Sequence, residues 1–426
     1  MRRAGRIALF LCAAVLLSAA GCGRREPDID VVDGAEAPEE AVFPGESFTV
    51  LRTGRKYGRD GALSRAEHLR DLEMREALSV SPETETTESD GATAERYLTS
   101  AAAGEDRYSL VVGSLRGAGY PILCSGAAAE ATDCPSLRFS RFPESLSAGG
   151  RRCLAVGALA PGSYGDVACV LMNAELARAF DVPLRGGEFT FDGMISAAAV
   201  IPTGTGLYRY AAVGDAAAPW IHAAGAKLTE DADGRKLVGG EPSGVIREAI
   251  SRAAGLFRDG RASVSGRNAA EVFAGGRALF LLCKTSDVTE LRETGPDFII
   301  LPYPSLGRGA TGYADSASGE AAAIPAAGLD GSRRLMISEY DRLSGKYVDA
   351  ERRDALLAGR SAYDGESRET VDELLRGAEY ELCEACGAGG LTELLDRAIF
   401  DAGGEIPREY AARAAAISAE LKKAER

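Results

Sequence analysis

The sequence predicts an α/β protein of two lobes with a helical C-terminal region. Three observations carry that reading. Apolar, strand-like runs fall in two clusters, roughly 47–172 and 277–325, helical stretches fall between and after them, and everything from Asp330 to Arg426 reads as helix. Strand, helix and strand at short spacing is the rhythm of a largely parallel sheet. Two such lobes leave a cleft between them, a preferred place for a small-molecule site.

In chain order, Ser47 to Leu51 is a short β-type run and Leu63 to Leu78 is helical. The acidic run Glu83 to Asp90 reads as a solvated loop, and Gly91 to Ala102 as a second helix. Tyr108 to Gly113 is an apolar strand ending in glycine, followed by two more apolar runs, Cys153 to Leu159 and Val167 to Met172. The last passes into an amphipathic helix from Asn173 to Phe180. Phe189-Thr-Phe-Asp192 starts another helix, with Thr190 or Asp192 as its cap. From Ala197 the chain is mainly helical, with a glycine turn at Gly204-Thr-Gly206 and a strongly amphipathic helix from Ser243 to Phe257. Arg277 to Cys283 and Phe298 to Leu301 are buried strands, and Ala321 to Pro325 a return strand. The helical tail is broken at Gly345, Gly365 and Gly387 to Gly390.

The N-terminus is of a different kind. Arg2, Arg3 and Arg6 precede an apolar run from Ile7 to Ala20, then Gly21-Cys22, which is the layout of an export signal. The run is too short to span a bilayer, which takes roughly 20 apolar residues. Leu17-Ser-Ala-Ala-Gly-Cys22 is a lipoprotein cleavage pattern with Ala19 where leucine is usual, so Cys22 is the expected acylation site; in the alternative the chain is simply secreted. The reading is therefore a chain anchored by lipid to the outer face of a bacterial cell membrane. Residues 23–45, rich in Glu, Asp, Pro and Ala, bury too little to fold and form a tether. The expected division is 1–22 signal, 23–45 tether, and 46–172 with part of 277–330 as N-terminal lobe and crossing segments. A second, mostly helical α/β lobe covers 173–325, and 326–426 supplies helices that pack across both.

The net charge of −14 argues against nucleic acid or anionic lipid as the main partner. Beyond Cys12 and Cys22 lie seven cysteines, an odd number, in a chain whose predicted compartment permits disulfides unless the source is anaerobic. Cys124 and Cys134 bracket a loop that a disulfide would close. Cys383-Glu-Ala-Cys386 has the spacing of a redox motif but follows a helical pattern instead of opening a helix after a strand, so a structural pair is favoured. No second CxxC exists, and His68 and His222 are remote from it, so no metal site is expected. Gly113-Ser-Leu-Arg-Gly-Ala-Gly119 lacks the Gly-Lys-Ser/Thr of a phosphate loop and reads as a strand-to-helix turn. No GxSxG is present for a serine hydrolase, while the many carboxylates leave a glycosidase open.

Six segments in order carry a resemblance. Leu171-Met-Asn173-Ala-Glu-Leu-Ala, Gly187-Glu-Phe-Thr-Phe-Asp192, Phe273-Ala-Gly-Gly-Arg277-Ala-Leu-Phe, Asp297-Phe-Ile-Ile-Leu-Pro-Tyr-Pro304, Ala323-Ile-Pro325 and Leu335-Met-Ile-Ser-Glu-Tyr340 resemble the motifs of the family 1 extracellular solute-binding proteins of ABC importers. Phe189 stands where that family has tryptophan, and Arg277 where it has lysine. The resemblance implies a two-lobe, type II periplasmic-binding-protein-like fold, no catalysis, no cofactor and a monomer. Its partners would be a carbohydrate ligand and the permease subunits of an importer. A sugar cleft offers aromatic platforms flanked by polar groups, which selects Trp220 and Tyr120 first, then Tyr208, Tyr210, Tyr303 and Tyr313, each of which is otherwise a core or surface residue. Ser114, Lys284 and Asp287 are the expected polar contacts. Three alternatives stay open: a fold of this kind turned surface sensor or scaffold, a secreted glycosidase, and a redox lipoprotein.

Overall fold

A computed structural model describes residues 42–54, 61–183, 189–202, 212–213, 218–232, 235–258, 262–263, 266–291, 294–306, 312–313, 319–357, 365–387, 390–401 and 403–425. The expected acylation site Cys22, and Tyr208 and Tyr210, lie outside them. The first lobe is a six-stranded sheet in the order β2-β1-β3-β14-β5-β4. Its strands are β1 (Phe48–Thr53), β2 (Pro82–Thr87), β3 (Leu110–Ser114), β4 (Ser140–Arg141), β5 (Leu154–Gly157) and the late-arriving β14 (Glu320–Ala323). Strands β1, β2 and β3 are parallel, whereas β14 runs antiparallel to both β3 and β5.

Strand β2 corrects the solvated-loop reading of the acidic run. Pro-Glu-Thr-Glu-Thr-Thr carries no apolar alternation, so no burial signal marks it. It forms because six consecutive residues, Pro82 to Thr87, pair in register with β1 at the sheet edge. Helices α1 (Gly61–Leu78) and α2 (Asp90–Ala102) make the parallel crossovers. Ser89 caps α2 by accepting from the Ala92 amide at 3.2 Å. Both faces of the sheet are buried, as a parallel sheet requires. Phe48, Val50, Leu110 and Val112 face Met74, Met336 and Ile337, while Leu51, Val111 and Val156 share the opposite core with Tyr97 and Leu123.

The second lobe is a five-stranded sheet, β10-β7-β11-β6-β12. Here β6 is Ala168–Asn173, β7 Ala212–Val213, β10 Ala262–Ser263, β11 Phe280–Lys284 and β12 Phe298–Leu301. Strand β6 is antiparallel to both β11 and β12. The run 167–172, expected with the first lobe and its crossing segments, lies in the second sheet, and β14 is the part of 277–330 that returns to the first. All of these strands are apolar on both faces, so composition alone cannot sort them between two sheets. Around them stand α3 (Tyr120–Ser125, in the first lobe), α4 (Ala174–Ala179), α5 (Phe191–Ala199), α6 (Ala218–Ala223), α7 (Gly244–Arg258), α8 (Gly266–Ala274) and α9 (Thr285–Leu291). A hairpin of β8 (Thr229–Ala232) and β9 (Arg235–Val238) replaces helix at one point of the region expected to be mainly helical. Thr190 is the cap of α5, accepting from the Gly193 amide at 3.1 Å.

The chain crosses between the lobes from β5 to β6 and from β12 to β14, and the tail passes back to the second lobe once more. Gly157 leaves β5 with φ 106°, and a Cβ there would stand 2.5 Å from the Phe139 carbonyl, so the entry to the first crossing demands glycine. The tail then divides. Helix α10 (Gly331–Ser344) packs on α1 of the first lobe, and α11 is Ala350–Leu357. Helix α12 (Gly365–Gly377) lies on β12 and on β13 (Gly312–Tyr313), which pairs with β15 (Ala378–Glu379). Then come α13 (Leu382–Ala385), α14 (Leu391–Phe400), which packs on α7, and α15 (Tyr410–Ala424), which touches β9 of the second lobe and α3 of the first. Among the described residues no helix is long and apolar enough to cross a membrane.

Candidate functional site between the lobes

The C-terminal ends of β1, β2 and β3 face the same way, and a polar clasp is built where they stop. Asp90, the first residue of α2, takes the Thr53 hydroxyl at 2.5 Å and the Ser114 amide at 2.9 Å on one oxygen, and the Ser114 hydroxyl at 2.6 Å on the other. Ser114 in turn accepts from the Gly117 amide at 3.1 Å, capping the single π-turn Leu115–Gly119. Thr93 hydrogen-bonds with both Thr53 and Thr87. A Cβ at Gly117 would fall 2.4 Å from the Asp90 Cβ, so the turn approaches the carboxylate as closely as glycine allows. The strand ends thereby present hydroxyls and a carboxylate on a rigid base, with Arg116 exposed just beyond.

The facing wall comes from the second lobe and the tail. Arg116 Nε donates to the Glu384 carbonyl at 3.1 Å, and the Tyr120 hydroxyl to the Glu420 carbonyl at 3.0 Å. Lys236 Nζ reaches the Glu144 carbonyl at 3.3 Å, and the Tyr380 amide donates to Ser145 Oγ at 3.3 Å. These bonds across the seam are polar, and each joins a group of the first lobe to one of the second lobe or the tail.

Behind the wall lies a sealed polar cluster. The Glu381 carboxylate takes the Leu228 amide at 2.6 Å and the Thr229 amide at 2.9 Å, and stands 2.8 Å from His222 Nε2, with both side chains at 0–1 % exposure. Burial pushes the Glu381 carboxyl upward, but His222, the Leu228 amide and the Thr229 side chain outweigh it and hold the group below its ordinary value. The Tyr313 hydroxyl donates to Glu384, whose other oxygen accepts from Thr392 at 2.8 Å, and the Tyr313 ring stacks on His222 at 4.9 Å. Cys383 belongs to the same cluster. Burial first, then Glu381 and Glu384, push its thiol well above the ordinary range, which is the reverse of an activated redox thiol.

The residues selected from sequence separate into three groups. Ser114, Tyr120 and Tyr313 converge on the seam around Arg116 and α13. Lys284 and Asp287 sit at the second lobe's crossing end, where the Lys284 amide donates to Asp287 Oδ2 at 2.9 Å and opens α9. Trp220 and Tyr303 are core. The Trp220 ring is 1 % exposed and lies between Phe191, at 5.2 Å, and Tyr303, edge-on at 5.3 Å. A stacking platform must offer a free ring face, and Trp220 offers none. The small residues before it let α6 settle close and turn the ring inward rather than project it. Asp90, Thr53, Arg116, Glu381 and Glu384 were not selected; of these only Asp90 carried a local signal, the Ser89-Asp90 helix start.

No protein-family profile matches the sequence, and no curated protein matches it. Solved structures do match. A cyclic α-maltosyl-1,6-maltose binding protein of Arthrobacter globiformis aligns with TM-score 0.61 at 14 % identity, over 89 % of this chain and 100 % of its own. A sugar transporter of Rhizobium etli in an open conformation gives 0.61 at 12 % identity, over 88 % and 98 %. An ABC transporter solute-binding protein of Thermotoga lettingae bound with α-D-tagatose gives 0.55 at 13 % identity, over 88 % and 100 %. The chain has the solute-binding-protein fold.

Proposed function

We propose that the protein captures a carbohydrate between its lobes and delivers it to the permease of an ABC importer, held to the cell surface by lipid on Cys22. The observation that supports it best is the pairing of a two-lobe fold, joined by crossing segments, with a polar seam, in a chain whose structural neighbours are named for sugars. Sugar hydroxyls need donors and acceptors fixed in place, and the strand-end clasp supplies both. We place Ser114, Arg116 and Tyr120 against the ligand, with Lys284 and Asp287 at the crossing end, and assign no catalytic residue or cofactor; Tyr313, buried against His222 and Glu384, supports the wall from behind. Trp220 and Tyr303 support the second lobe from within.

One observation favours a second reading. The chain's own Arg116–Glu384 and Tyr120–Glu420 bonds already close the seam, as suits a surface sensor or scaffold that keeps the fold without cargo. Small-angle scattering of the purified protein, with and without a digest of cell-surface and storage polysaccharides, separates the two. A fall in radius of gyration with added glycan supports capture; an invariant, already compact particle that retains no glycan supports the scaffold. Metabolic labelling with a palmitate analogue is expected to tag the wild type and not Cys22→Ala, and equal labelling of both would contradict the anchor.

A further inference from the structure

We infer that Cys169 and Cys283 form a disulfide across the middle of the second-lobe sheet when the chain folds in an oxidising compartment. The two residues lie directly opposite each other on the antiparallel strands β6 and β11, and their Sγ atoms are 3.7 Å apart. The ladder fixes the kind of pair. Backbone bonds run from the Asn173 amide to the Leu279 carbonyl at 2.8 Å and from the Thr285 amide to the Val167 carbonyl at 2.9 Å. Hydrogen-bonded pairs recur at every second residue between these two, so 283 and 169 form one. The Cα atoms of such a pair stand about 5.5 Å apart, within the roughly 4.4–6.8 Å that a disulfide spans. The Cβ atoms of a hydrogen-bonded pair stand toward the wider end of about 4.5–5.5 Å, against about 3.5–4.5 Å across a disulfide, so the bond closes with a small local approach of the two strands.

The position gives the bond a role. Residue 169 is the second of β6, immediately after the crossing from the first lobe, and residue 283 is followed by Lys284 and α9. A bond here ties the strand that receives the crossing to the corner that carries Lys284 and Asp287. Cys383 and Cys386 have a different geometry, within one helical turn, with Cys386 Sγ directed at the Cys383 carbonyl at 3.1 Å.

The chemistry requires a disulfide oxidant, such as glutathione disulfide or an exported thiol oxidoreductase. One cysteine loses its proton and attacks a sulfur of the oxidant, releasing the other sulfur as thiolate. The second cysteine then displaces the bound sulfur. The pair gives up two protons and two electrons, and the oxidant's disulfide becomes two thiols. Cys169 is fully buried, and burial pushes the Cys283 thiol well up, so the reaction belongs to folding, before the sheet closes.

The experiment is oxidative refolding of the full chain from denaturant in a glutathione couple, followed by alkylation and peptide mapping by mass spectrometry. The expected result is a linked peptide pair containing Cys169 and Cys283, lighter by two hydrogens, with Cys124, Cys134, Cys153, Cys383 and Cys386 alkylated. Alkylation of both Cys169 and Cys283, or a link from either to another cysteine, would overturn the inference. As a second readout, reductant is expected to lower the thermal midpoint of the oxidised wild type by several degrees and to leave that of Cys283→Ser unchanged. An equal response in both contradicts the assignment. Because the mapping uses no ligand and no export, its failure leaves the carbohydrate reading untouched.

Discussion

The two lobes treat the polar groups at their facing ends in opposite ways. In the first, Asp90, Thr53 and Arg116 stay partly open to solvent at the strand ends, bound to hydroxyls and amides that a ligand's hydroxyls can imitate. In the second, His222, Glu381, Glu384 and Tyr313 lie at 0–6 % exposure and use one another. An open clasp can trade partners; a sealed network can only hold shape, because each buried group left alone costs its full desolvation. On the proposed function, the open wall is the one that meets the ligand and the sealed wall the one that holds its shape.

The sharpest way to break this comparison is in the firm wall. Trp220→Ala is expected to lower stability by about 3–5 kcal/mol, the cost of a large cavity in a packed core, read as a fall in denaturation midpoint. A nearly unchanged midpoint with weakened glycan binding would return Trp220 to the ligand. Glu381→Gln should cost about 3 kcal/mol by leaving His222 and two amides facing a poorer acceptor. The pH dependence has a definite sign. Because Glu381 is held below its ordinary value of 4.5, the unfolded chain binds the extra proton first. Its contribution is therefore full above that value and is lost as the pH falls through the lower folded value. Acid unfolding that is the same in wild type and Glu381→Gln would contradict it.

Changes in the open clasp are expected to act on binding more than on folding. Asp90→Ala removes the acceptor of three bonds and should cost about 1–3 kcal/mol of stability, together with a marked loss of glycan affinity in calorimetry. The smallest effect sharpens the seam: Tyr120→Phe loses one hydroxyl bond to Glu420, about 1 kcal/mol. If the seam opens for cargo, that variant should populate the open form more in scattering without losing its fold.

Much of this architecture was legible in the chain. The α/β alternation, the cap at Thr190 and the return of β14 all follow from local pattern, since burial and capping leave their mark within a few residues. Strand β2 was not legible, because its stability comes from backbone pairing with β1 and not from its Glu and Thr side chains. The site was read less well. Aromatics stood out as platforms because a tyrosine or tryptophan looks the same from sequence whether its ring turns in or out. The pair His222 and Glu381 is 159 residues apart in the chain, and nothing local joins them.

Whether a sugar is held between these lobes is read directly on a glycan microarray probed with the folded protein. The expected result is saturable binding to a restricted set of glycans, abolished by Asp90→Ala and kept by an exposed control such as Lys423→Ala. Retention of no glycan by the folded protein, or binding that Asp90→Ala leaves intact, would contradict it.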